Sequence, residues 1–279
     1  MLFSLVIPLL DLPYLGVWFL MQNSIAPLSV TASPRRLPLG RIYVSALDLE
    51  GALTHIDSMI AATDRGYVCF CESNLFVQAD RDPELATILD HADMVLPDGV
   101  FLMALARLLG RSLPQRLPGP SFILNMCEHG LAKGYRHFFY GGGPGIPERL
   151  AHNLSRRYPG LQVAGTYSPP FRPLTVEEDL QVEQMIEKAQ PDLLWVGLGA
   201  PKQEYWMARH QETIHVPVML GVGAAFDFHA GEVPWAPRWI RRLGIEWAYR
   251  TLTGGKRIFY RNLLCLSRAM LILVREMGK

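Results

Sequence analysis

From Arg41 onward, short apolar runs alternate with longer stretches whose apolar residues recur every three or four positions. The short runs predict buried strands at Arg41–Val44, Tyr67–Cys71, Asp93–Leu96, His137–Tyr140, Leu161–Thr166, Leu193–Val196 and Val216–Leu220. The periodic stretches predict helices between them. Asp48 caps one running to about Ala62; short ones follow at Leu75–Ala79 and Pro83–His91. Others cover Phe101–Leu109, Phe122–Ala132, a segment ending at Tyr158, Val176–Ala189 and Gln203–Gln211. Strand, loop and helix in regular succession imply an α/β, Rossmann-like parallel sheet with helices on both faces. No internal repeat is visible. Around Gly231 the pattern changes to Trp- and Arg-rich helical segments without a further strand.

The first forty residues fit this pattern poorly. Met1–Met21 is rich in Leu, Val, Phe and Trp, but Pro8, Asp11 and Pro13 interrupt it. A spanning helix needs about 20 mostly apolar residues, and a carboxylate in its middle is costly. No basic start or small-residue cleavage site marks a signal peptide. The expected organisation is an apolar extension (1–40), an α/β catalytic domain (41–230) and a helical, membrane-associating C-terminal appendage (231–279).

Composition narrows the class. Of 279 residues, 49% are hydrophobic and 19% charged, which excludes a disordered chain. The net charge of +1 conceals an asymmetry: ten Lys/Arg and two acids lie between Arg238 and Lys279, leaving an acidic body. A basic tail on an acidic body points to anionic surfaces. No nucleic-acid module is present, so that class of partner is not expected. Cys69, Cys71, Cys127 and Cys265 form no CxxC pair, which argues for a reducing compartment and against structural zinc.

Candidate chemistry sits at four strand ends: Glu72-Ser73-Asn74, Pro97-Asp98-Gly99, Gly141-Gly142-Gly143-Pro144-Gly145 and Gly199-Ala200-Pro201-Lys202-Gln203-Glu204. In a parallel sheet these loops share one edge, where open α/β sheets bind ligands. Asp98 is placed either as a general base or as a helix N-cap. The glycine turn is either a phosphate cradle or a tight turn; it lacks the last glycine of a dinucleotide fingerprint and the acid that should follow. Asp80-Arg81-Asp82 matches a DxD metal motif in letters only, because Asp82-Pro83-Glu84 reads as a helix start. His229 reads as a packed residue. In the C-terminal helix, Arg257, Arg261, Arg268 and Arg275 fall in one arc beside an apolar face. That pattern suits a membrane surface or a core-packed helix with a solvated face.

Together these segments resemble the WecG/TagA/CpsF glycosyltransferase family from about Arg41 to Arg261. The resemblance rests on Asp98-Gly99, Arg116 with Gly119, Gly141-Gly142, Pro191-Asp192, Gly199 to Glu204, Gly221-Val222-Gly223, Ala230-Gly231, Ala236-Pro237, and Glu246-Trp247-Ala248-Tyr249-Arg250 followed by Arg257 and Arg261. It implies a metal-independent inverting enzyme of bacterial envelope polysaccharide synthesis, without cofactor. Such an enzyme moves an N-acetylmannosamine-type sugar from a UDP donor to a polyprenyl-diphosphate-linked sugar at the inner face of the plasma membrane. By resemblance, Asp98 is the base, and Asn74, Arg116 and Gln203 line the donor and acceptor site. Glu72, Gly141, Gly142, Gly143, Gly199, Pro201, Lys202 and Glu204 are grouped with them. Arg250, Arg257 and Arg261 belong to a mobile appendage that closes on the diphosphate. The chain departs from the pattern in two places: Glu72 stands where relatives often have Thr, and Pro120-Ser121 where many have Asp. The linkage and any homo-oligomer stay open. A nucleotide-binding oxidoreductase and an inactive membrane-docked subunit are the competing readings.

Overall fold

The structure is a computed structural model. It describes residues 34–237, 239–240, 246, 249 and 255–278, the side chains of 255–259, 261 and 262 excepted. Of the extension expected over residues 1–40, residues 1–33 lie outside the described residues, as does Arg250.

β1 (Arg36–Leu39) and β2 (Ile42–Ser45) form an antiparallel hairpin, with Leu39 opposite Ile42. The strand expected at Arg41–Val44 is thus half of a separate two-stranded sheet. Gly40, at φ +60°, permits the tight reversal that decides this.

After α1 (Leu49–Ala62), capped by Asp48, the chain builds six parallel strands. These are β3 (Gly66–Cys71), β4 (Met94–Pro97), β5 (Arg136–Gly141), β6 (Gln162–Tyr167), β7 (Leu193–Gly197) and β8 (Val218–Gly221). Between them lie α2 (Ser73–Arg81), α3 (Pro83–His91), α4 (Val100–Leu108), α5 (Gly119–Gly130), α6 (Ile146–Arg157), α7 (Val176–Ala189) and α8 (Lys202–His210). A short α9 (Ala225–Ala230), absent from the sequence reading, follows β8. The spatial order is β4-β3-β8-β7-β5-β6.

The strands read as continuous apolar runs because helices cover both sheet faces. Val68, Leu96, Trp195 and Leu220 pack on one face; Cys69, Val95, Leu194 and Met219 pack on the other. A single large indole sits in this core: Trp195 Nε1 donates to Nδ1 of buried His137 at 3.0 Å. Burial pushes that imidazole down to about 4, so it stays a neutral acceptor.

The strand order positions the site. The loops after β3 and β4 are neighbours on the carboxyl edge, whereas the loop after β5 lies four strands from Asp98. At about 4.8 Å per strand, that is roughly 19 Å.

The last described element, α10 (Gly255–Met277), buries Cys265, Ala269, Ile272 and Leu273 at helical spacing. Its Arg275 pairs with Asp80 of α2 at 2.5 Å. On the other side Leu263, Leu266, Met270, Leu271 and Val274 are exposed, with Arg268. One apolar face of the helix therefore packs on the body and another meets solvent. Among the described residues, no helix is long and apolar enough to cross a membrane.

Candidate active site

Asp98 leaves β4 with its backbone N–H donating to Cys71 O at 3.0 Å. Leu117 N donates to the preceding Pro97 O at 2.7 Å. These bonds fix the turn from both sides. The carboxylate does not cap the helix that follows it. Gly99 is the N-cap of α4 and makes no side-chain cap bond. Asp98 Oδ2 instead accepts from Gly119 N, in the first turn of α5, at 3.3 Å. The capping alternative thus fails for α4, and the carboxyl is left against the start of a different helix.

Asp98 is half-buried and opens onto a cavity of about 400 Å³. Its pKa is raised to about 7, first by burial and then by the negative charge of Glu72, with a smaller push from Glu246. The Gly119 N–H and the Arg116 guanidinium oppose the rise. Arg116 Nη1 reaches Asp98 O at 3.4 Å and Glu246 Oε2 at 3.3 Å. The result is a carboxylate that gains and loses its proton near neutral pH, as a general base requires.

Glu72 and Asn74, at the β3–α2 turn, line the same cavity as Asp98, Arg116 and Glu246. The two turns touch: a Cβ on Gly99 would lie 3.8 Å from Glu72 Cα and 3.6 Å from Ser73 Oγ. The opposite wall is apolar, built from Phe101 and Ala104 of α4, Trp235, and Leu266 and Ala269 of α10. Sequence reasoning did not assign Glu246, Trp235 or the α4 wall to the site. Glu246 was legible as part of a motif; the wall has no local signal, because ordinary apolar helix residues form it.

The other expected site residues lie elsewhere. Gln203 and Glu204, grouped with the substrate contacts, are buried beneath the sheet edge. Gln203 Oε1 accepts from Gly199 N at 3.2 Å, and its Nε2 donates to Gly221 O at 2.7 Å and Glu204 Oε1 at 3.0 Å. This side chain ties the end of β7 to the end of β8. Burial raises the Glu204 carboxyl to about 7, so it stays largely protonated up to neutral pH.

Gly141, Gly142, Gly143, Gly199, Pro201 and Lys202 stand on the carboxyl edge, outside the lining of the Asp98 cavity. The geometry of the glycine turn follows from packing. Gly141 has φ +126°, and a Cβ there would lie 2.6 Å from Gly197 C. Gly142 N donates to Gly197 O at 3.0 Å, and Ser168 Oγ donates to Gly142 O at 2.9 Å. Packing alone accounts for the conformations of Gly141 and Gly142.

Asp82 caps α3 by accepting from Glu84 N and Leu85 N, as its motif predicts. His229 Nε2 donates to Pro120 O at 2.7 Å, a packing role. All four cysteines are free and buried. The side chains of Arg257 and Arg261 lie outside the described residues.

An open parallel sheet with a near-neutral carboxylate, a guanidinium and a part-apolar cavity at its carboxyl edge places the chain among the α/β proteins whose ligand sites lie at that edge. The chain belongs to the glycosyl transferase WecG/TagA/CpsF family, whose sequence pattern matches residues 37–279. It is 26% identical over 232 residues to an N-acetylglucosaminyldiphosphoundecaprenol N-acetyl-beta-D-mannosaminyltransferase of Bacillus spizizenii, covering 83% of this chain and 88% of that one. Relatives with the same name occur in Bacillus subtilis, 28% identical over 71% of this chain and 75% of that one, and in Staphylococcus aureus, 31% identical over 67% and 75%. Family membership sets aside the oxidoreductase reading.

Proposed function

We propose that this chain is a UDP-sugar-dependent inverting hexosyltransferase that needs no metal and acts on a polyprenyl-diphosphate-linked saccharide. The observation that carries the proposal is Asp98, whose carboxyl is poised at about 7 on the floor of a cavity at the carboxyl edge of the sheet. The relatives' names supply the sugars: N-acetylmannosamine is transferred, and N-acetylglucosamine on diphosphoundecaprenol receives it.

In this mechanism Asp98 takes the proton of an acceptor hydroxyl. The oxygen attacks the anomeric carbon from the face opposite the nucleotide, the bond from that carbon to the diphosphate oxygen breaks, and UDP leaves with the electron pair. Arg250, Arg257 and Arg261 are assigned to the leaving diphosphate, where guanidinium groups give charge-assisted hydrogen bonds. The apolar wall toward α10 accommodates the start of the lipid. The basic charge after Arg238 and the exposed apolar side of α10 support docking on the inner face of the membrane, at about 1 kcal/mol per Lys or Arg near an anionic surface.

The test is a panel of UDP-sugars incubated with an N-acetylglucosamine-diphosphate lipid, read as UDP release and product mass, with and without excess EDTA. Acceptor-dependent release with UDP-N-acetylmannosamine, unaffected by EDTA, is expected. No transfer from any donor makes the chain an inactive subunit. Loss with EDTA and rescue by Mg²⁺ removes metal independence.

A further inference from the structure

The polar end of the cavity is unevenly neutralised. Glu246 faces Arg116, and Asp98 accepts from Gly119 N. Glu72 is different. It occupies the N-cap position of α2, yet its side chain makes no capping bond. Among the described residues, no side chain pairs with its carboxylate. It therefore presents an uncommitted acceptor to the cavity beside the base, where the β3–α2 and β4–α4 turns lie within van der Waals reach of each other.

A carboxylate accepts hydrogen bonds and repels anions. A diphosphate is excluded from its side of the cavity. A neutral sugar suits it, since hydroxyls and amide N–H groups are donors. The hydroxyl that reacts must lie at Asp98, and adjacent substituents of a pyranose lie within reach of a neighbouring side chain. That sugar is the acceptor.

We propose that Glu72 is the acceptor-selecting residue: its carboxylate receives a hydrogen bond from the hydroxyl or amide group next to the reacting hydroxyl, and so orients the acceptor sugar on Asp98. The assignment rests on the transferase reading above and adds a role that Asp98 alone does not supply. It has an electrostatic consequence. The groups facing Asp98 are Glu72 from the β3–α2 turn, Arg116 and Gly119 N–H from the segment leading into α5, and Glu246 from the C-terminal segment. Glu72 in turn faces Asp98 and the buried Glu204 of α8. Removing the Glu72 charge takes away the largest charge effect that holds Asp98 protonated, so the base should ionise at lower pH.

The experiment compares wild type with Glu72→Gln and Glu72→Asp. Binding of a short, water-soluble N-acetylglucosamine-diphosphate lipid analogue is followed by the fluorescence of Trp235, which lines the cavity. The Trp235→Phe variant identifies that signal. Hydrogen bonds to charged groups predict a weakening of about tenfold or more for Glu72→Gln. Glu72→Asp should recover part of it, and UDP affinity should hold or improve. In turnover, KM for the acceptor rises more than kcat falls, and the acidic limb moves to lower pH. Unchanged analogue binding in Glu72→Gln, or a loss confined to UDP, overturns the proposal whether or not the chain transfers sugar. Failure of wild type to transfer from any donor, with analogue binding still dependent on Glu72, instead overturns the reaction and leaves the selecting role standing.

Discussion

Replacing Asp98 by Asn should destroy activity and stabilise the fold in alkaline solution. The folded chain holds this carboxyl at about 7 against an ordinary value of 3.8, a rise of about three units. The native state therefore prefers the protonated form. That stabilising preference is fully present below pH 3.8 and is lost as pH rises through about 7. At about 1.36 kcal/mol per unit, the ceiling is about 4 kcal/mol. Water entering the open cavity screens the charge, so about 2 kcal/mol is expected. Asn keeps the shape and can still accept from Gly119 N, but it never ionises. For a domain of this size, 1 kcal/mol moves Tm by about 2–4 °C. Asp98→Asn should therefore melt several degrees above wild type at pH 8.5 and about half as far above it at pH 4.5, where the unfolded carboxyl is already mostly ionised. Its transfer rate should fall on the order of 10²–10⁴-fold, the usual contribution of a general base. Calorimetry at the two pH values, paired with UDP release, checks both. Equal melting curves at pH 8.5 would show that Asp98 is not held in an unfavourable charged state. Near-wild-type turnover would remove it as the base.

The wild-type rate of transfer should rise with pH through about 7 as Asp98 loses its proton, and a flat profile from pH 5 to 8 would contradict the assignment. Gly141→Ala should destabilise by on the order of 2–4 kcal/mol in denaturant titrations, since its Cβ would strike Gly197 at a φ hostile to side chains; a loss below about 1 kcal/mol would mean the β5 and β7 ends separate easily. Arg268→Glu should weaken binding to anionic vesicles and leave turnover on a soluble acceptor intact, whereas Arg275→Glu should lower both, because Arg275 holds α10, which lines the cavity through Cys265 and Ala269, to Asp80 of α2. Equal effects of the two changes in both assays would show that the Asp80 contact does not anchor the helix. Gln203→Ala should lower Tm and weaken turnover together; a kinetic loss at unchanged stability would return Gln203 to the substrate contacts.

Much of this protein was legible in the linear chain. Strand and helix periodicities differ, so all six parallel strands and the eight helices from α1 to α8 lie within a few residues of where the apolar spacing predicts them. Asp98 and Glu72 were visible because a polar residue just past a buried strand of a parallel sheet must stand on the ligand edge. Spacing could not say which edge loops share a cavity, since that depends on strand order. β7 and β8 enter the sheet between β3 and β5, which sets the glycine turn apart from Asp98 and leaves Glu72 beside it.

Local sequence also could not tell a polar residue that faces a ligand from one that braces the backbone. Lys202, Gln203 and Glu204 are consecutive and equally polar, yet helix geometry exposes the first and buries the next two. The ends of β7 and β8 present a part-buried N–H at Gly199 and a buried carbonyl at Gly221, and the Gln203 amide satisfies both. The C-terminal helix shows the same division. Its amphipathic spacing was determined by the residues alone; that Cys265 and Ala269 turn inward and complete the cavity was decided by the body they pack against. Periodicity is a property of neighbours in the chain, whereas a site is made by residues that only folding brings together.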